Sequence, residues 1–235
     1  MILSLALATA AGAMIPLGGW LATREGIQPR WLAEELRHSV IAFGGGALLS
    51  AVALVLVPDG AARLPAWAAV AFFAAGGAAF AAIDRAIERR GGPGGQMVAM
   101  LTDFLPEAAA LGALLATGAT AKGVLTAAIM AAQNLPEAFN AWREMAADGP
   151  MPRGRLLQFA GLALLGPAAA LFGELVLADH QAALGALMVF AGGGILYLVF
   201  QDVAPGVRLR AAWAPPLGAV AGFGLGLAGH LAIGG

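Results

Sequence analysis

The sequence predicts an all-α protein: a polytopic membrane bundle of eight transmembrane helices with inverted-repeat organisation, filling residues 1–235 as a single transmembrane domain. Three observations predict it. The chain is 60% hydrophobic and 11% charged, far from the roughly 45–50% apolar and 25% charged composition of soluble domains. Its apolar runs approach the roughly 20 residues that a helix needs to cross a bilayer. A Leu-Pro-Glu-Ala motif occurs in two consecutive runs, at 105–108 and 135–138.

Charge, proline and glycine bound the runs at 1–22, 37–57, 65–86, 96–118, 121–142, 155–177, 182–203 and 212–233. The first resembles a signal peptide in placing small residues after an apolar stretch, but it lacks a basic leader and is read as a retained span. The longest hydrophilic stretches, 23–37 and 143–155, are too short for a soluble domain. Glycines at 44–46, 76–77, 192–194 and between 218 and 229 let helix backbones approach closely. Such small-residue faces also permit a homodimer. The glycine-rich turn at 91–95 lacks the lysine of a phosphate loop and follows no strand, so neither nucleotide nor nucleic acid is an expected partner.

Basic residues alternate between the two ends of these spans. Arg24, Arg30, Arg37, Arg85, Arg89, Arg90, Arg143, Arg153, Arg155, Arg208 and Arg210 fall on one side, Arg63 and Lys122 on the other. Because cytoplasmic loops retain arginine and lysine, both termini are expected on the non-cytoplasmic side. The arginine-, alanine- and glycine-heavy composition resembles that of a GC-rich bacterial chain, which places the protein in a bacterial inner (plasma) membrane with the lipid bilayer as its first partner. The chain has no cysteine, which excludes disulfides, thiolate ligands and cysteine nucleophiles. Tryptophans 20, 31, 67, 142 and 213 fall near span ends, as an interfacial belt requires.

The chemistry concentrates in the fourth and fifth spans. Asp103 and Glu107 share one helix face, as do Gln133 and Glu137, because each pair is four residues apart. Glu107 lies roughly 16 Å from the start of its span, near mid-membrane, and Gln133 and Asn134 lie midway along theirs. Consecutive spans run in opposite directions, so the two motifs are related by an axis in the membrane plane, the symmetry many transporters build their sites around. Pro106 and Pro136 displace the carbonyls of Thr102 and Ala132, adding oxygen donors. A carboxylate at mid-bilayer costs at least about 2.5–3.5 kcal/mol, and no basic residue within these spans offsets the three present. A divalent cation held by Asp103, Glu107, Gln133, Asn134 and Glu137 would.

These motifs resemble those of the ZIP divalent-metal transporters, whose fourth and fifth helices carry a His-Asn-x-Pro-Glu-Gly-like motif and a related one. Gly46–Asp59 resembles the family's second span and Gly192–Pro205 its seventh. Gln133, Asn134, Pro136 and Glu137 fit the fifth-helix pattern, and Pro106 with Glu107 the fourth. The resemblance implies a metal as substrate, zinc first. The chain departs from the pattern at Asp103 and Phe104, where the family has histidine and asparagine, and at Ala108 and Ala138, where it has glycine. Phenylalanine cannot ligate, which argues against a second bridged metal, and an all-oxygen donor set suits manganese or iron(II) better than a nitrogen-rich one.

Other polar residues are secondary. Glu174 faces either the pathway or the headgroups; Gln201 and Asp202 close the seventh span; Asp59 ends the second on the opposite side; Asn140 continues the face of Glu137. The three histidines do not cluster, and no hydrolytic motif is present, so the chain is not expected to be an enzyme. The expected function is carriage of a divalent cation into the cytoplasm. The alternative is a membrane metal sensor or assembly protein on the same scaffold.

Overall fold

The computed structural model describes residues 1–24, 30–90, 95–147, 154–206 and 213–234, and every regular element among them is helical. Helices α1 (Ile2–Arg24), α2 (Arg30–Ala51), α3 (Val57–Ala61), α4 (Ala66–Arg90), α5 (Gly95–Ala116), α6 (Thr120–Ala147), α7 (Arg155–Ala163), α8 (Leu165–Phe172), α9 (Gln181–Leu198), α10 (Ala204–Gly206) and α11 (Ala214–Gly234) follow in chain order. Wider π-turns at Val52–Leu56, Gly173–Leu177 and Val199–Val203 join some of them into longer rods. Arg153, Arg208, Arg210 and most of the glycine-rich turn lie outside the described residues, as do the side chains of Arg30, Arg90 and Trp31.

Among the described residues, six helical segments are long and apolar enough to cross a membrane: Ile2–Arg24, Glu35–Ala61, Ala66–Ile87, Arg155–Leu177, Gln181–Val203 and Ala214–Ile233. That is two fewer than the eight expected. The helices missing from the count are α5 and α6, the two that carry the Pro-Glu motifs. α5 is as apolar as α1, but its described side chains begin only at Met100, which leaves too short a stretch to count; in α6 the apolar run is interrupted by Lys122, Gln133, Asn134, Glu137 and Asn140. Both helices lie inside the molecule, where Asp103, Glu107, Gln133 and Asn134 are buried. Large apolar side chains of α4 and α11 face outward instead, among them Trp67, Val70, Leu217 and Val220.

The helices form two bundles. In one, α2 packs on α11 and α4 on α9; in the other, α1 packs on α6, and α5 on α8 and the π-turn after it. The glycines explain this closeness. A methyl at Gly46 would meet the carbonyl oxygen of Ala219, and one at Gly222 that of Phe43. The same exchange joins α4 to α9, where Gly193 faces the Phe73 carbonyl and Gly76 that of Phe190. Gly112 and Gly173 meet the carbonyls of Ala170 and Ala109 in the second bundle. With no side chain between them the backbones lie in direct contact, the geometry small residues permit.

These contacts reveal a correspondence that the sequence reading did not draw. Aligning Pro58 with Pro205 matches Phe43 with Phe190, Gly45 with Gly192, Gly46 with Gly193, Leu49 with Leu196 and Val52 with Val199. The π-turns at Val52–Leu56 and Val199–Val203 then coincide residue for residue. The two rods run antiparallel: Gly60 meets Val189, Gly192 meets Val57 and Gly45 meets Val203.

One apolar core, around Phe104, Leu111, Met130, Trp142 and Phe159, lies within the second bundle. Another, including Leu56, Leu114, Ile129, Met188 and Ile195, lies where the bundles meet. Trp142 departs from the expected interfacial belt. It is buried edge-on against Phe159, with ring centroids 5.6 Å apart, because α6 is an interior helix flanked by α1 and α7. Trp20, Trp67 and Trp213 are exposed, as a belt requires.

Candidate functional site

Helices α5 and α6 are joined by the turn at 117–119, where Gly118 adopts φ of +82°, a conformation that costs glycine little. The turn sets the two Pro-Glu motifs side by side in opposite directions. Gln133 Nε2 donates to Glu107 Oε2 at 2.5 Å, tying the helices together at the level of the motifs. Asp103, Glu107 and Glu137 are close enough for their charges to bear on one another.

The five residues expected in one site divide into three environments. Glu107 and Gln133 form the buried interhelical pair. Asn134 turns the other way, its Nδ2 donating to the Ala11 carbonyl of α1 at 3.0 Å. Asp103 and Glu137 line a cavity of about 280 Å³ between the bundles. Met100 joins them there from α5, Asn140 and Glu144 from α6, Gly44, Gly45 and Leu48 from α2, and Gln201 and Asp202 from the π-turn after α9. The cavity deepens from exposed Gln201 and Asp202 to Asp103, which is buried, with its Oδ1 accepting the Phe104 N–H at 2.9 Å.

The donor set is unusual in one respect. Glu107 Oε1, Gln133 Oε1, Asn134 Oδ1 and Glu137 Oε1 are all buried and have no hydrogen-bond partner among the described residues. Every one is an acceptor oxygen. Buried polar atoms are ordinarily satisfied, and these four acceptors are not; Arg37 Nη2 donates to Asn140 Oδ1 of the cavity at 3.4 Å, but it bonds none of the four. Among the described residues no group of three or more His, Cys, Asp or Glu side chains is drawn tightly enough to hold a metal ion. In this conformation the carboxylates approach one another without converging.

The remaining polar residues separate clearly. Gln201, Asp202 and Asn140 belong to the cavity. Glu174 does not, since it pairs with the amino group of Met1. Asp59 pairs with Lys122 at 2.6 Å, at the end of α3 far from the cavity. His180 bonds the Val176 carbonyl at 2.7 Å on the surface, and no histidine lines the cavity. Glu144 is the cavity residue that the sequence reading passed over. Its signal was present: it sits four residues beyond Asn140, whose Nδ2 it accepts at 2.6 Å, on the stripe that Gln133 and Glu137 begin.

Asn134 therefore holds α1 against α6, and Asn134→Leu is expected to lower the melting temperature of the detergent-solubilised protein. The loss should correspond to about 1–3 kcal/mol, because the buried Ala11 carbonyl then loses the side-chain donor that Asn134 supplies. Retention of the wild-type melting temperature would contradict this role. Compared with models of known protein families and with curated proteins, the chain matches none.

Proposed function

We propose that this protein carries a divalent metal cation across a membrane, through a site formed where α5 and α6 face each other. The observation that carries the proposal is the set of buried, unpartnered acceptor oxygens on Glu107, Gln133 and Glu137, beside a cavity lined by Asp103 and Glu137. A cation shedding water needs oxygen ligands in its place, and these residues offer carboxylate and amide oxygens with no competing base among them. The resemblance of the paired Pro-Glu motifs to those of ZIP transporters supports the same substrate class, with zinc, manganese and iron(II) as its members.

In this proposal α5 and α6 also cross the membrane, giving eight spans. They need not be apolar, because the other helices screen them from lipid and their polar faces line a cavity. The antiparallel rods with matching glycines, π-turns and prolines support an inverted repeat. Such repeats let one bundle rock against the other around a fixed site. The arginine bias favours a cytoplasmic cavity mouth, near Gln201 and Asp202, which in this proposal makes the conformation open inward and shut outward.

Purified protein in liposomes loaded with a metal-sensitive dye tests this directly. Addition of zinc, manganese or iron(II) should give uptake above that of empty liposomes, and Glu137→Ala should remove most of it while the protein still elutes as a folded species. Absence of flux for all three ions, or unchanged flux in the variant, would sink the proposal. Metal binding without flux would favour a sensor on the same scaffold.

A further inference from the structure

The side of the molecule opposite the cavity is closed by two things. The first is the apolar core between the bundles, where Leu56, Leu114, Met188 and Ile195 pack together, buried. The second is an ion pair. Lys122 Nζ, at the start of α6, stands 2.6 Å from Asp59 Oδ1, at the end of α3. Asp59 belongs to the bundle of α2, α4, α9 and α11, and Lys122 to the bundle of α1, α5 and α6, so the pair spans the boundary that must part if this side opens. Arg63 does not span it. Its guanidinium bonds the backbone carbonyl of Asp59 and, at 3.0 Å, Gln181 Oε1, both on its own side.

We propose that the Asp59–Lys122 pair is a latch that holds the outer side shut, an inference that rests on the alternating-access reading above. Its two partners are unequally placed: the Asp59 side chain is 13% exposed and that of Lys122 50% exposed. Asp59 Oδ2 is buried with no hydrogen-bond partner among the described residues, so Lys122 supplies the charge that its carboxylate needs while the bundles are closed. Parting the bundles hydrates the carboxylate and frees the lysine. Loss of the lysine thus penalises the closed form alone, by leaving a buried charge unpaired. Loss of the carboxylate leaves a half-exposed lysine that water already serves, so it shifts the balance less.

The absence of native cysteine makes the test clean. Ala110 is fully buried in the core between the bundles and precedes Asn140 by the same interval that separates the two Pro-Glu motifs. Ala110→Cys is thus placed to report opening of the outer side, and Ala141→Cys, which lines the cavity, reports the inner side. The detergent-solubilised full chain is treated with a polar thiol reagent and the labelling rate is read by mass. Lys122→Gln should speed labelling at position 110 about tenfold and Asp59→Asn about threefold, as shifts in a two-state population, with no rise at position 141. The swap Asp59→Lys with Lys122→Asp should return the rate at 110 toward its starting value. Equal rates at 110 in all backgrounds overturn the latch, and so does a rise at both positions, which marks general loosening. Labelling needs no metal, so failure of metal uptake and failure of the latch remain separate results.

Discussion

Glu107→Gln should stop metal uptake while leaving the protein as stable as before, or more so. Glutamine keeps the size and the hydrogen-bonding capacity that bind Gln133 across the α5–α6 interface, so the packing of the two motifs survives. What disappears is the charge. A cation losing its water shell gains most from carboxylates, and affinity tracks the number of charged ligands, so uptake at low metal concentration is expected to fall on the order of 100-fold. Stability moves the other way because an ionised carboxyl inside the membrane is costly unless paired. The combination is diagnostic. A structural role for Glu107 would instead cost stability and leave residual uptake in proportion to folded protein. Flux into liposomes and thermal unfolding in detergent, measured on one preparation, separate the two.

The second large effect concerns the glycines at the helix crossings. Gly46→Ala and Gly193→Ala each aim a methyl group at a carbonyl oxygen, of Ala219 and of Phe73 respectively. A backbone carbonyl cannot rotate aside as a side chain can, so the helices must separate. Overpacking of this kind costs about 1–3 kcal/mol, and both variants should lose that much because they occupy matching places in matching rods. Gly161→Ala and Gly224→Ala are the controls, for a methyl there meets nothing within 4 Å. Both lie within helices, where alanine is preferred over glycine by up to about 1 kcal/mol, so these two should be neutral or stabilising. Melting temperatures that fail to divide along this line would contradict the close-contact account.

The helical character of the chain, and most of its helix limits, were legible because lipid-facing helices such as α4 and α11 need apolar residues all along their exposed faces. The same rule misled at α5 and α6. Length and spacing marked them as spans, but an interior position releases a helix from the apolar requirement, and α6, with Lys122, Gln133, Asn134, Glu137 and Asn140, does not meet it. Within the site, the four-residue spacing paired Asp103 with Glu107 and Gln133 with Glu137, but the cavity takes only Asp103 and Glu137, while Glu107 and Gln133 bond each other; carried one step further, the same spacing would have reached Glu144. Asn134 shows the limit of spacing. One residue further along a helix is a rotation of about 100°, which turns its amide to Ala11, a partner 123 residues away that no local pattern announces. Trp142 was misplaced for a related reason, since nearness to a span end says nothing of whether another helix covers it. The pairing of α2 with α9 lay in plain view as Phe, two glycines, a leucine, a valine and a proline at equal spacing, but common residue types carry little weight until the coincident π-turns give them a shared shape.

Those coincident turns also bear on descent. If both proline-ended rods were copied from one ancestral unit, the copies now lie head to tail, so that unit must once have entered the membrane either way round. A chain that inserts in both orientations needs its basic residues shared evenly between its ends. The lopsided arginines of the present protein would then postdate the fusion, fixing one orientation only after the halves were joined. Such copies would have been free to diverge from that moment. The turn beside the cavity carries Gln201 and Asp202, while the matching positions in the other hold Leu54 and Val55, so under such a descent only one of the two copies would face water there.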